Sequence, residues 1–226
     1  MCRAFKSRPS HFRILPGMYV INLNFCTRLF NQRVTMNMNE EKVKIVPMGG
    51  IGSELVNAIV DGLAELRVVG EAISPVRLPR RCYNSKRRQF LADCVLESLA
   101  EKLGREPEAD KNILGVTDRD LYAEDSNFVF GRAKLGGRVA LISTYRLDPT
   151  FYGKPEDKGL LSKRAVKEAV HEVCHSTYGL EHCNNPSCVM YFPGSILDVD
   201  GQGGDLCGSC ATAVKNRLSH LPLRSL

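Results

Sequence analysis

Apolar positions along the chain fall into short runs whose spacing switches between strand-like and helix-like periods. Val43-Lys44-Ile45-Val46 reads as a strand that stops at Pro47-Met48-Gly49-Gly50. Ser53 stands where a helix cap belongs, ahead of Leu55, Val56, Ile59, Val60 and Leu63 at helical spacing. Residues 68–76 predict a second strand, and residues 85–103 a second helix with Phe90, Cys94, Val95, Leu99 and Leu103 inward. Asn112–Thr117, 127–130 and 138–145 predict three more strands. Val166, Ala169, Val170, Val173 and Thr177 then recur at helical spacing and predict a third helix. Strand, helix, strand, helix and several further strands imply an α+β fold, a compact domain with a mixed twisted sheet and helices packed on it. The glycines at 49, 50 and 52 lack the third glycine of a phosphate-cradling G-x-G-x-x-G loop, so they read as a strand-to-helix turn.

Residues 1–37 do not share this regularity. Their apolar stretch at 14–25 is broken by Pro16, Gly17, Asn22 and Asn24, unlike the continuous core of a secretory signal. They read as a basic N-terminal extension, expected to be poorly ordered, in front of a domain over 38–226. Charge changes the picture in the same place. The chain holds 31 basic and 25 acidic residues, but Arg3, Lys6, Arg8, Arg13, Arg28 and Arg33 precede the first acid, which leaves 25 of each in the remainder. A balanced body argues against a nucleic-acid partner. The six basic residues within 77–88 read as a solvated loop. No window approaches the ~20 continuous apolar residues of a membrane span.

The chemistry lies in the predicted third helix. His171 and His175 are four residues apart and so share one helix face, where both imidazoles can bind one Zn²⁺. Glu172 follows the first of them directly, placed to take a proton from a water on the metal as general base. Gly179 can end the helix in a left-handed conformation, and His182 three residues later can return as third ligand. Three histidines leave a fourth position open, the mark of a catalytic rather than a structural zinc.

Nine cysteines form a second pattern. Cys183-x4-Cys188 and Cys207-x2-Cys210 are two close pairs across a loop, as a closed structural zinc site requires. The rival for Cys207 and Cys210 is a redox pair, which ordinarily opens a helix after a strand. The scattered Cys2, Cys26, Cys82, Cys94 and Cys174 read mostly as buried small hydrophobes in a reducing compartment, hence a cytoplasmic location.

Taken together, His171-Glu-x-x-His175-x-x-x-Gly179-x-x-His182-Cys183-x4-Cys188-x-Met190 followed by Cys207-x-x-Cys210 resembles the archaemetzincins, a family of the metzincin clan of zinc metallopeptidases. The commoner metzincin pattern has one residue fewer between the second histidine and the glycine. Residues 113–122, 127–133 and 143–147 are similar to the family as well, so the resemblance spans about residues 42–214. It implies a zincin-like fold, with sheet and active-site helix in 38–178 and a zinc-bearing C-terminal part in 179–226. It also implies a methionine beneath the metal, here Met190, and a sheet edge that pairs with an extended peptide, for which 138–145 is the candidate.

The expected function is therefore zinc-dependent peptide hydrolysis, with one catalytic and one structural zinc per chain. The substrate is a peptide or protein, and the chain acts as a monomer without nucleic acid or membrane. The alternative is a zinc-ribbon module, in which the four cysteines and the basic run at 77–88 grip nucleic acid or protein without catalysis. A zinc-loaded but catalytically silent protein is a third reading.

Overall fold

The computed structural model describes residues 40–103 and 112–220. The basic extension at 1–37 lies outside the described residues. Five strands form the main sheet in the order β2 (Val68–Ala72), β1 (Glu41–Met48), β5 (Asn112–Thr117), β9 (Val139–Ser143) and β8 (Gly131–Ala133). The first four run parallel and β8 is antiparallel to β9, so the sheet is mixed as expected.

Period-two alternation explains the layers. From β1 Val43 and Ile45, from β5 Leu114 and Val116, and from β9 Ala140 and Ile142 enter one core, shared with α1 (Ser53–Ala64) and α3 (Lys158–Tyr178). Val46, Met48, Ile113, Val139 and Leu141 point the other way, into a core shared with α2 (Ala92–Leu103). Inner strands covered on both faces read as largely apolar runs, which is why β5 was legible from Asn112 to Thr117 around its apolar middle.

Several expectations need correction. The helix expected over 85–103 starts only at Ala92. Before it, β3 (Tyr83–Asn84) and β4 (Gln89–Leu91) form a hairpin, with Arg88 at a φ of 58° in its turn. Phe90 is drawn into β4 by pairing with Leu121 of β6 (Leu121–Ala123), a partner invisible to local periodicity. With β7 (Ser126–Val129), these strands make a second sheet in the order β3-β4-β6-β7. Gly52, not Ser53, occupies the cap of α1, and no side chain bonds there. The segment 138–145 is not a sheet edge: β9 is hydrogen-bonded on both sides, and among the described residues β8 is the edge strand beyond it. Cys82 and Cys94 form a disulfide, joining the turn at Arg80–Cys82 to the first turn of α2, so these two are not the separate buried thiols expected.

The glycine turn after β1 behaves as a turn. The Gly50 N–H donates to Asp118 Oδ2 at 3.1 Å, so an internal carboxylate already occupies the loop amides.

Helix α3 carries the chemistry and is fixed at both ends. Asp157 caps it by accepting from the Leu160 N–H at 2.9 Å. Gly179 closes it at a φ of 59°, its N–H on the His175 carbonyl, while the Leu180 N–H reaches the Cys174 carbonyl. Its middle is clamped to the C-terminal part. Arg164, 3% exposed, donates to both Asp200 oxygens at 2.7 Å and to the Leu147 carbonyl at 2.8 Å. Lys167 donates to the carbonyls of Val199 and Gln202 at the end of α4 (Ile196–Gly201). The last described element is α5 (Gly208–His220). Among the described residues no helix is long and apolar enough to cross a membrane.

Candidate active site

His171, His175 and His182 converge. Their ligating nitrogens all lie within 4.8 Å of one another, with ring centroids 4.5–5.3 Å apart. The first two are stacked by the α3 repeat, and the left-handed exit at Gly179 turns the chain so that His182 faces them. His171 Nδ1 donates to the Val189 carbonyl at 2.8 Å, and His175 Nδ1 donates to the Leu180 carbonyl. A carbonyl can only accept, so both Nδ1 atoms carry the proton and both Nε2 atoms present lone pairs. Those two Nε2 atoms are 2.9 Å apart. Two lone pairs facing one another repel unless a cation lies between them, and the corner-to-corner spacing of nitrogens around a tetrahedral zinc is about 3.3 Å. The donor set therefore fits zinc. Burial and the His175 charge push the His171 imidazolium down to about 3, and burial lowers His175 and His182 as well, so the rings are neutral ligands at ordinary pH.

Glu172 is 5% exposed and lines the same cleft of about 860 Å³ as the three histidines. Burial pushes its carboxyl well above the usual range. The adjacent Glu168 adds to this, and Arg132 opposes it. Its Oε2 has no hydrogen-bond partner. A carboxylate raised in this way is a stronger base than one in water, as proton abstraction requires. The opposite wall of the cleft is the continuous segment through β7 and β8, and Phe192 packs on His182 at 4.9 Å.

Three participants escaped the sequence reading. Glu168 lies one turn before Glu172, and the spacing of four between two acids on the same helix was the available signal. Gly131 opens β8 directly over them: a Cβ there would come within 2.6 Å of Glu172 Cγ and 2.8 Å of Glu168 Oε1. Nothing local marks that glycine. Arg132, next to it, is held by Asp93 at 3.0 Å and Asp125 at 3.7 Å. Gly131→Ala should displace the Glu172 carboxyl and cost about 1–3 kcal/mol in stability through overpacking. The expected result is at least a roughly tenfold fall in kcat/KM with zinc content unchanged, read by peptide hydrolysis and metal analysis.

Cys183, Cys188, Cys207 and Cys210 also converge within 4.8 Å. Cys183 and Cys207 Sγ are 3.7 Å apart, close to the ~3.8 Å edge of a zinc tetrahedron with ~2.3 Å bonds. The N–H of Cys207 donates to Cys188 Sγ at 3.3 Å and that of Asn185 to Cys183 Sγ at 3.5 Å. The Ser209 hydroxyl, ahead of its sulfur neighbours, draws Cys207 down to about 6, whereas burial pushes Cys210 up. The pair does open α5, as a redox motif would, but no strand precedes it and four sulfurs rather than two come together. Cys183, Cys207 and Cys210 pack against the core that holds α3, which disfavours a separate zinc-ribbon module. Met190 is fully buried, and its carbonyl accepts from the Cys183 N–H at 2.8 Å. Cys174 is a free thiol in the core, pushed up to about 12 by burial.

Relatives carry the same arrangement of chain. Residues 40–216 match Peptidase family M54. The chain is 39% identical over 176 residues to the archaemetzincin of Methanocaldococcus jannaschii, covering 78% of this chain and 94% of that one. It is 37% identical to that of Pyrococcus furiosus, over 79% of this chain and 94% of the relative. Among solved structures, archaemetzincin from Archaeoglobus fulgidus, complexed with malonate, aligns with a TM-score of 0.64 at 36% identity, covering 76% of this chain and 99% of its own. A zinc-dependent peptidase from Methanocorpusculum labreanum aligns at 0.71 and 30% identity, again over 76% and 99%. With a family match over most of its length and relatives this similar, the chain belongs to peptidase family M54, the archaemetzincins, and is a zinc metallopeptidase acting on peptide or protein substrates.

Proposed function

We propose that His171, His175 and His182 hold the catalytic zinc, that Glu172 is the general base, and that Cys183, Cys188, Cys207 and Cys210 hold a second, structural zinc. The carrying observation is the convergence of three outward-facing imidazole nitrogens and one buried carboxyl on a single cleft. Zinc held there supplies Lewis acidity to the scissile carbonyl and to the attacking water. Val189 and Leu180 fix the imidazole tautomers through their carbonyls. Glu172 takes the proton from the attacking water and delivers it to the leaving amine. The free edge of β8 offers unpaired backbone groups along the cleft, so an extended peptide adds to the sheet there and its scissile bond lies over α3. Met190 serves as the buried methionine that supports the site.

The chain works as a monomer without nucleic acid. Cellular location divides the cysteines: the clustered thiols must stay reduced to bind zinc, which favours the cytoplasm, whereas a Cys82–Cys94 disulfide needs an oxidant to form.

Metal analysis tests the assignment. At saturating zinc the protein should hold two ions per chain, His182→Ala one, and Cys207→Ala one, with peptidase activity lost only in the first variant. A single ion in the unaltered protein, or two in either variant, refutes it.

A further inference from the structure

The cleft contains an acid that the proposed mechanism leaves idle. Glu168 rises from the same face of α3 as Glu172, is 2% exposed, lines the cleft, and has no hydrogen-bond partner for its Oε2. Buried carboxyls are ordinarily matched by donors or a cation, because stripping their water is costly. The cation on this wall is Arg132, whose guanidinium is already engaged by Asp93 and Asp125. Acidic charge exceeds basic charge around the cleft, with Asp125, Glu168, Glu172 and Glu181 against Arg132 and the two charges of the zinc proposed on the histidines. Apolar side chains, among them Phe128, Leu135 and Phe192, complete the lining. Apolar walls around an unmatched acid suit a long side chain with a methylene stem and a charged tip.

Resting on the metallopeptidase reading above, we propose that Glu168 is a specificity-determining residue, which receives a cationic group of the peptide substrate, ammonium or guanidinium. Four residues of helix rise about 6 Å, so the substrate residue that reaches Glu168 adjoins the bond on which Glu172 acts. The cation comes either from a lysine or arginine side chain or from a free N-terminus. Gly131 is part of the device, since its missing side chain leaves room for both carboxyls under β8.

The test uses zinc-loaded full-length protein carrying Glu172→Gln, titrated by fluorescence anisotropy. The probes are N-acetylated peptides that differ only in lysine, arginine or norleucine at one position, together with a free-amine norleucine peptide. A preference of at least ~30-fold for lysine or arginine over norleucine, falling to within about threefold when Glu168→Gln or Glu168→Met is added, supports the proposal and assigns the cation to the side chain. The same collapse seen only for the free-amine peptide supports it and assigns the cation to the N-terminus. Equal binding of all four peptides, or a preference that survives both substitutions, overturns it. Cleavage assays with the unaltered protein separate the two ideas. Hydrolysis of the norleucine peptide without any cationic preference in binding sinks the role of Glu168 alone. A Glu168-dependent preference in a protein that cleaves no peptide sinks the catalytic reading alone.

Discussion

Replacing Glu172 with glutamine should lower kcat/KM for peptide hydrolysis by ~10³-fold or more while both zinc sites stay filled. Glutamine preserves the shape and burial of the side chain, so the histidine cluster and the overlying β8 have no reason to move. What is lost is the ability to accept a proton. The environment has been arranged to make that ability strong: burial first, and then the neighbouring Glu168, push the Glu172 carboxyl upward, with Arg132 only partly offsetting them. A neutral amide feels none of these effects and offers no base in their place. Steady-state hydrolysis beside metal analysis checks the expectation. A variant that keeps more than about a tenth of the activity would remove Glu172 from the proton-transfer step.

The second large effect is expected from Cys188→Ser. Cys188 is fully buried, its sulfur accepts from the Cys207 N–H, and it immediately precedes Val189. Structural zinc contributes roughly 10 kcal/mol or more of binding free energy, which small C-terminal elements such as α4 and α5 cannot replace from their own apolar area. One zinc should be lost, and thermal melting should fall well below that of the unaltered protein. The consequence extends to catalysis, because Val189 supplies the carbonyl that orients His171. Disordering that segment should weaken zinc at the histidines by about tenfold, the usual penalty for removing a hydrogen bond behind a metal ligand. Competition with a colorimetric chelator measures that affinity. Unchanged melting with two ions retained would show that the four sulfurs do not share a metal.

How much of this was written in the chain can be judged element by element. The convergence of the three candidate ligands was legible because the geometry is local: a helix repeat aligns His171 with His175, Gly179 ends the helix, and His182 follows within three residues. β5 was legible to the residue because an inner strand covered on both faces carries an apolar run, here 113–116 between Asn112 and Thr117. The hairpin of β3 and β4 was not. Phe90 fits a helical pattern with Cys94 and is held in a strand by Tyr83 across the hairpin and by Leu121, thirty-one residues away in the chain. The sheet edge was missed for another reason: the apolar run of β9, Val-Ala-Leu-Ile-Ser, marks an inner strand, but the three residues of β8 are too few to show the strand that covers it. Cys82 and Cys94 looked like two more scattered thiols until the turn and the helix brought them together.

The sequence by itself determined the family and most of the alternation of strands and helices, and it supplied the candidate zinc ligands, since each depends on residues a few positions apart. Only the tertiary structure decided which strand borders the cleft, which carbonyls set the imidazole tautomers, and that Glu168 and Glu172 each keep one oxygen unpartnered beneath Gly131. The reason is physical. Spacing along a helix is fixed by its own repeat, whereas burial, pairing and the field at a carboxyl depend on segments that meet only after folding.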